Sequence, residues 1–158
     1  MVTVGSLRRR ERLDRAFNGV LALIGVQFLI GMWLNLFGTF PTDGGNLGTA
    51  LAYTADPLLA VHVVLGILLV LGGLALLIQS FFDPVRMIRW FAIGGFAALI
   101  FAALAGSNFV YSGYASDVSS FLMAVGFAGA VTAYYEGLVR LRAHPLSPIE
   151  AAPFSSPG

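Results

Sequence analysis

Between Pro57 and Ile78 the sequence reads PLLAVHVVLGILLVLGGLALLI, and the only polar side chain in that run is His62. A helix of roughly 20 apolar residues is what it takes to cross the hydrocarbon core of a bilayer. A helix this apolar on every side has no face to offer water, so it is either wholly buried or surrounded by lipid. Three more segments have the same character, which puts candidate spans at residues 16–37, 57–80, 84–107 and 118–141. The chain as a whole is 58% hydrophobic and only 11% charged, and its mean hydropathy is +0.84. Soluble domains average about 45–50% apolar and about 25% charged. A chain of 158 residues has too little interior to hide such a surplus, so the class is integral membrane.

The punctuation between the spans supports their limits. Asp56-Pro57 and Asp83-Pro84 each place a carboxylate where it can cap a helix and a proline at the first helical position, where its missing N–H costs nothing. Ser116 or Asp117 can cap the fourth span. Gly38 with Pro41 closes the first, and Gly106 is expected to close the third. A basic start followed by an apolar run is also the pattern of a secretion signal. Here the run is too long and no small-residue cleavage site precedes the polar loop, so the segment is read as a retained span. Three parts are expected: a basic cytoplasmic segment at 1–15, four membrane helices within 16–143, and a proline-rich disordered cytoplasmic tail at 144–158.

All nine basic residues are arginine. Arg8, Arg9, Arg10, Arg12 and Arg15 precede the first span, Arg86 and Arg89 lie between the second and third, and Arg140 and Arg142 follow the fourth. The two other loops, residues 38–56 and 108–117, contain no basic residue. By the positive-inside rule, both termini are expected in the cytoplasm, in a plasma membrane protein of several passes. Arg10–Asp14 and Glu11–Arg15 are spaced to pair along a cytoplasmic extension of the first helix. Trp33, Phe37, Phe40, Tyr53, Phe109, Tyr111 and Tyr114 are expected at the outer boundary, and Phe81, Phe82, Trp90, Phe91, Tyr134 and Tyr135 at the inner one.

Lipid gives helices little hydrophobic reason to associate, so contact faces favour small residues and polar links. Each span carries such a stripe: Gln27, Gly31 and Asn35; His62, Gly66, Leu69 and Gly73; Gly95, Ala98, Ala102 and Gly106; Ser119, Met123, Gly126, Ala130 and Ala133. The expected fold is therefore all-α, a four-helix up-down-up-down bundle with the stripes turned inward. His62 points into the bundle, with Gln27, Asn35 and Ser119 as candidate hydrogen-bond partners.

Chemistry is sparse. Without cysteine there are no disulfides, thiolate ligands or thiol nucleophiles. A net charge of +1 offers nothing to nucleic acid. No phosphate-binding glycine loop with lysine, no HExxH and no GxSxG is present. His62, Met123 and Met32 lie at comparable depth and are the candidate cofactor or metal ligands, since imidazole with thioether suits copper(I) or haem b iron. Neither cofactor is favoured over none, because a single histidine in a membrane helix is more often a structural hydrogen-bond partner. His144, the only other histidine, falls in the tail, so two histidines cannot hold one haem within the bundle. Gln27, Asn35, Asn108 and Ser119 are the candidate polar groups of the bundle interior. Asp56, Asp83 and Asp117 are read as caps, and Glu136 as an ion-pair partner of Arg140.

The stretches FLIGMWLNLFGTFP and SSFLMAVGFAGAVTAY resemble small four-span bacterial or archaeal membrane proteins. That likeness implies four membrane helices and transfers no functional residue. The general shape is also similar to four-helix haem-binding membrane cytochromes, which bring paired histidines from different helices; this chain departs from them there. The expected function is non-enzymatic: a homo-oligomer, or an accessory subunit beside other membrane proteins, with the lipid bilayer as its constant partner. An electron-transfer or metal-handling protein using His62 with Met123 or Met32 is one alternative. A small-solute or proton transporter is another, with only Gln27 deep enough to line a path.

Overall fold

A computed structural model describes residues 4–42 and 45–143 of the chain. It is all-helical: α1 spans Val4–Phe37, α2 Leu47–Ala52, α3 Pro57–Ser80, α4 Arg86–Tyr111 and α5 Asp117–Ala143. The tail expected at 144–158, with His144, lies outside the described residues. The four long helices are each long and apolar enough to cross a membrane. Their most apolar windows are only 17–22% buried, so most of the leucine, valine and phenylalanine faces outward, as a protein whose solvent is lipid requires.

Helix limits follow local chemistry, with two departures from the sequence expectation. Asp56 caps α3 as expected, its Oδ1 accepting from the Leu58 N–H at 3.1 Å with Pro57 at the first turn. Asp83, by contrast, does not cap a helix that starts at Pro84. Its Oδ1 accepts from the Val85 N–H at 2.9 Å and α4 begins only at Arg86. The carboxylate is also held at 3.1 Å by Arg10 of α1, and that contact ties the α3–α4 turn to α1. Gly106 does not end α4 either. The helix continues to Tyr111 and is stopped by Gly113 (φ 70°) and Tyr114 (φ 62°), a consecutive left-handed pair. Gly106 serves packing instead, since a Cβ there would sit 3.1 Å from the Met123 sulfur. The Ser116 hydroxyl accepts from the Ser119 N–H at 3.2 Å at the start of α5. The loop after α1 contains a short helix, α2, closed by a capping box between Asn46 and Thr49.

The long helices form a ring in which α1 touches α3, α3 touches α4, α4 touches α5 and α5 touches α1. Contact is tightest between α4 and α5, where small residues remove the obstacle to backbone approach. A Cβ on Gly126 would lie 2.9 Å from the Ala102 Cβ and 3.0 Å from the Ala98 carbonyl oxygen. Tyr134 is the largest side chain in the core and is fully buried. Its ring lies against Gly95, where an added Cβ would come within 2.5 Å, and its hydroxyl lies against Gly73, where an added Cβ would come within 2.9 Å. Phe17 of α1 meets the same ring edge-on at 6.1 Å. Tyr134 thus reaches α3, α4 and α1 from α5. Two facing glycines leave a hollow of ring size, and the phenol fills it.

Gly95→Ala should therefore lower the stability of the detergent-solubilised protein by about 1–3 kcal/mol, the usual cost of overpacking. Gly19→Ala, where nothing lies within 4 Å of the added carbon, should cause no loss. Thermal unfolding followed by circular dichroism compares the two, and equal midpoints for both variants would contradict this packing.

Candidate functional site

His62 and Gln27 meet where α3 crosses α1, through a reciprocal exchange of side chain and glycine. On α1, Gln27 is followed four residues later by Gly31; on α3, His62 is followed four residues later by Gly66. Residues four apart share a helix face. The imidazole fills the space a Gly31 side chain would take, since a Cβ there would be 3.0 Å from Cε1 of His62. The carboxamide fills the space at Gly66, where a Cβ would be 3.2 Å from Nε2 of Gln27. Each polar side chain is admitted by the glycine on the opposite helix.

Hydrogen bonding orients the pair. The Gln27 amide nitrogen donates to the His62 carbonyl oxygen at 2.9 Å and lies 3.3 Å from Nε2 of the imidazole. A carbonyl can only accept, so the amide must present its NH2 on this side, and its second hydrogen meets the ring nitrogen. The imidazole then accepts at Nε2, is neutral and carries its proton on Nδ1. That Nδ1 and the Gln27 Oε1 are buried and have no hydrogen-bond partner among the described residues.

The remaining polar residues form a rim nearer the ends of the helices. Asn108 donates to the Ser119 hydroxyl at 2.7 Å, and that hydroxyl donates to Ser116 at 2.9 Å. Ser120 donates to Oδ1 of Asn35 at 3.1 Å, linking α5 to α1. Ser119 is buried, while Asn35 and Asn108 are exposed at this rim. Of the partners expected for His62, the geometry selects Gln27, and Asn35 and Ser119 are engaged elsewhere. Above the rim Phe40 stacks on Tyr114 at 4.9 Å, and both meet Phe109 edge-on. Burial pushes the Tyr114 phenol above its ordinary pKa, with the nearby Thr49 opposing the shift. Gly45 itself lies against the end of α4, for a Cβ there would run into the Val110 carbonyl oxygen.

No contact places either candidate thioether on the imidazole among the described residues. The Met123 sulfur rests beside Gly106 of α4, and Met32 is 41% exposed on α1. A metal at Nε2 of His62 would have to displace the Gln27 amide. Among the described residues no three His, Cys, Asp or Glu side chains gather into a metal-sized group. No family model matches the chain, and no curated protein or solved structure matches it.

What the arrangement can do is hold two helices in register at one depth. Interhelical hydrogen bonds in membranes are worth about 0.6 kcal/mol on average and at most about 1.7 kcal/mol. Gln27→Leu removes both contacts, while His62→Leu leaves the one to the backbone carbonyl. Unfolding in mixed detergent micelles should accordingly show the larger loss for Gln27→Leu, with the reverse order counting against this hydrogen-bond assignment.

Proposed function

We propose that this chain is a multi-pass protein of the cell membrane with no chemistry of its own, acting as a homo-oligomer or as an accessory subunit beside other membrane proteins. The observation that carries the reading is the use made of the deepest polar groups. Gln27 spends its amide on His62 across the α1–α3 contact, a structural link rather than an open ligand or a step in a conducting path. The lipid-facing side of α5 supports assembly: Ala124, Ala128 and Thr132, four residues apart, stay exposed while Gly126 and Ala130 are used against neighbours within the chain. Small residues at that spacing are what helix association in lipid favours.

The helices run up-down-up-down with both termini cytoplasmic. Contacts between helix ends support that order. The start of α1 meets the α3–α4 turn through Arg10–Asp83 and the end of α5 through Asp14–Arg142 at 2.7 Å. The end of α1 meets the start of α5 through Asn35–Ser120. All nine arginines then fall at one end, which the positive-inside rule assigns to the cytoplasm.

Cysteine labels introduced near Gly45 and Ser112 should react with an impermeant reagent in intact cells, and labels near Arg86 only after lysis. Reaction of Arg86-region labels in intact cells would overturn the orientation. Extraction in mild detergent followed by native mass measurement should give a species heavier than one chain. A strictly monomeric protein without partners would remove the assembly reading. A purified sample expressed with haem and copper supplied should show no haem absorption band and no bound copper. A band abolished by His62→Ala would replace this proposal with the electron-transfer alternative.

A further inference from the structure

Charge at the arginine-rich end is unevenly neutralised. Four carboxylates lie there among the described residues, and each takes one arginine: Glu11 with Arg15 at 3.5 Å, Asp14 with Arg142 at 2.7 Å, Asp83 with Arg10 at 3.1 Å and Glu136 with Arg140 at 3.8 Å. Nine arginines less these four leave five, Arg8, Arg9, Arg12, Arg86 and Arg89, with no carboxylate partner among the described residues. They are not scattered. Arg9 donates to the Phe82 carbonyl oxygen at 3.3 Å and lies 5.6 Å over the Phe82 ring. Arg89 donates to the Phe81 carbonyl oxygen at 3.2 Å and lies 4.9 Å over the Phe81 ring. Arg86 is three residues before Arg89, and Arg12 three after Arg9, so each extends the same helix face.

Two phenylalanines project from the centre of this group, Phe81 at 51% and Phe82 at 62% exposure. The one carboxylate of the turn, Asp83, is only 5% exposed and is enclosed by Arg10 and the Val85 N–H, so it does not offset the field outside. Arg89 has further donor capacity, for its Nε is buried without an acceptor. Apolar rings flanked by unneutralised guanidinium groups, at the end of four lipid-facing helices, match one kind of occupant. Its phosphate would sit among planar donors suited to bidentate contact, and its acyl chains would lie along the exposed rings.

We propose that the α3–α4 turn and the facing edge of α1 bind the headgroup phosphate of an anionic phospholipid, through Arg9, Arg12, Arg86 and Arg89 around Phe81 and Phe82. The proposal rests on the four helices crossing a bilayer but not on which side the termini lie. Its failure can therefore be told apart from a failure of the orientation given above, which the labelling experiment reads separately.

The full-length protein in mild detergent, mixed with phosphatidylglycerol or phosphatidylcholine and analysed by native mass spectrometry, tests it. Phosphatidylglycerol should be retained preferentially, and raised salt should weaken that preference, as partly exposed charges require. Arg12→Gln and Arg86→Gln are the informative variants, because neither side chain makes a hydrogen bond or ion pair among the described residues. Each should weaken retention about fivefold, the effect of about 1 kcal/mol per basic residue near an anionic lipid surface. Arg15→Gln, whose arginine is already paired with Glu11, should change retention far less. A thermal-shift series with inorganic phosphate alone separates the sources of the ligand. No stabilisation by phosphate together with stabilisation by phosphatidylglycerol supports the lipid. Equal stabilisation by both would overturn it in favour of a free anion. Equal retention of the two lipids, or an Arg15→Gln loss as large as that of Arg86→Gln, would also overturn the proposal.

Discussion

Apolar surface gains nothing by moving from lipid tails to another apolar helix, so a membrane bundle is held by how closely its backbones approach and by the few polar links they share. In this protein close approach depends on glycines that a larger side chain occupies from across the interface. Tyr134 from α5 fills the hollow between Gly73 of α3 and Gly95 of α4, with Phe17 of α1 against its edge. Phe17 in turn lies over Gly137, where a Cβ would come within 2.8 Å of its ring. One end of the bundle is thus organised by two aromatic rings and three glycines. The α4–α5 contact is organised by Gly126 against Ala98 and Ala102.

The Gln27–His62 exchange applies the same device with polar side chains. Two amide hydrogens reach a carbonyl and a ring nitrogen across α1 and α3, and the glycines at 31 and 66 make room for both groups. A slip of α1 along α3 by one residue would drive the imidazole into a side chain in place of Gly31. The pair therefore fixes register at a depth where apolar contacts alone discriminate poorly. It also leaves Nε2 of His62 engaged by the Gln27 amide.

Polar contacts at the two ends of the bundle differ in kind. One end carries neutral links, Asn35–Ser120 and Asn108–Ser119–Ser116, under the Phe40, Phe109 and Tyr114 rings. The other carries ion pairs and guanidinium groups resting on carbonyls and rings. Arg10 and Asp14, spaced to pair with each other along α1, reach to Asp83 and Arg142 instead, and each ties α1 to a neighbouring segment. Exposed pairs within one helix, such as Glu11–Arg15, are worth little by comparison.

Four lipid-facing helices, the cap at Asp56-Pro57 and the inward face of α3 with His62 beside Gly66 and Gly73 were all legible in the sequence. They depend on local quantities: the length of apolar runs, the chemistry of one turn and a spacing of three or four residues. Gln27 was among the partners named for His62 because it is the one polar group at mid-depth on α1. What spacing does not contain is the pairing of faces. Nothing near Tyr134 in the sequence says that its ring fills a hollow between Gly73 and Gly95, which only the fold brings opposite it. Asp83 reads as a helix cap until Arg10 arrives from α1, and Gly106 as a helix end until Met123 packs on it. The sequence by itself determined that the chain must be four helices in lipid, because hydropathy is a sum over neighbours along the chain. Only the tertiary structure decided which side chain fills which glycine, because that choice depends on the shape of a gap between helices, and no single helix contains the gap.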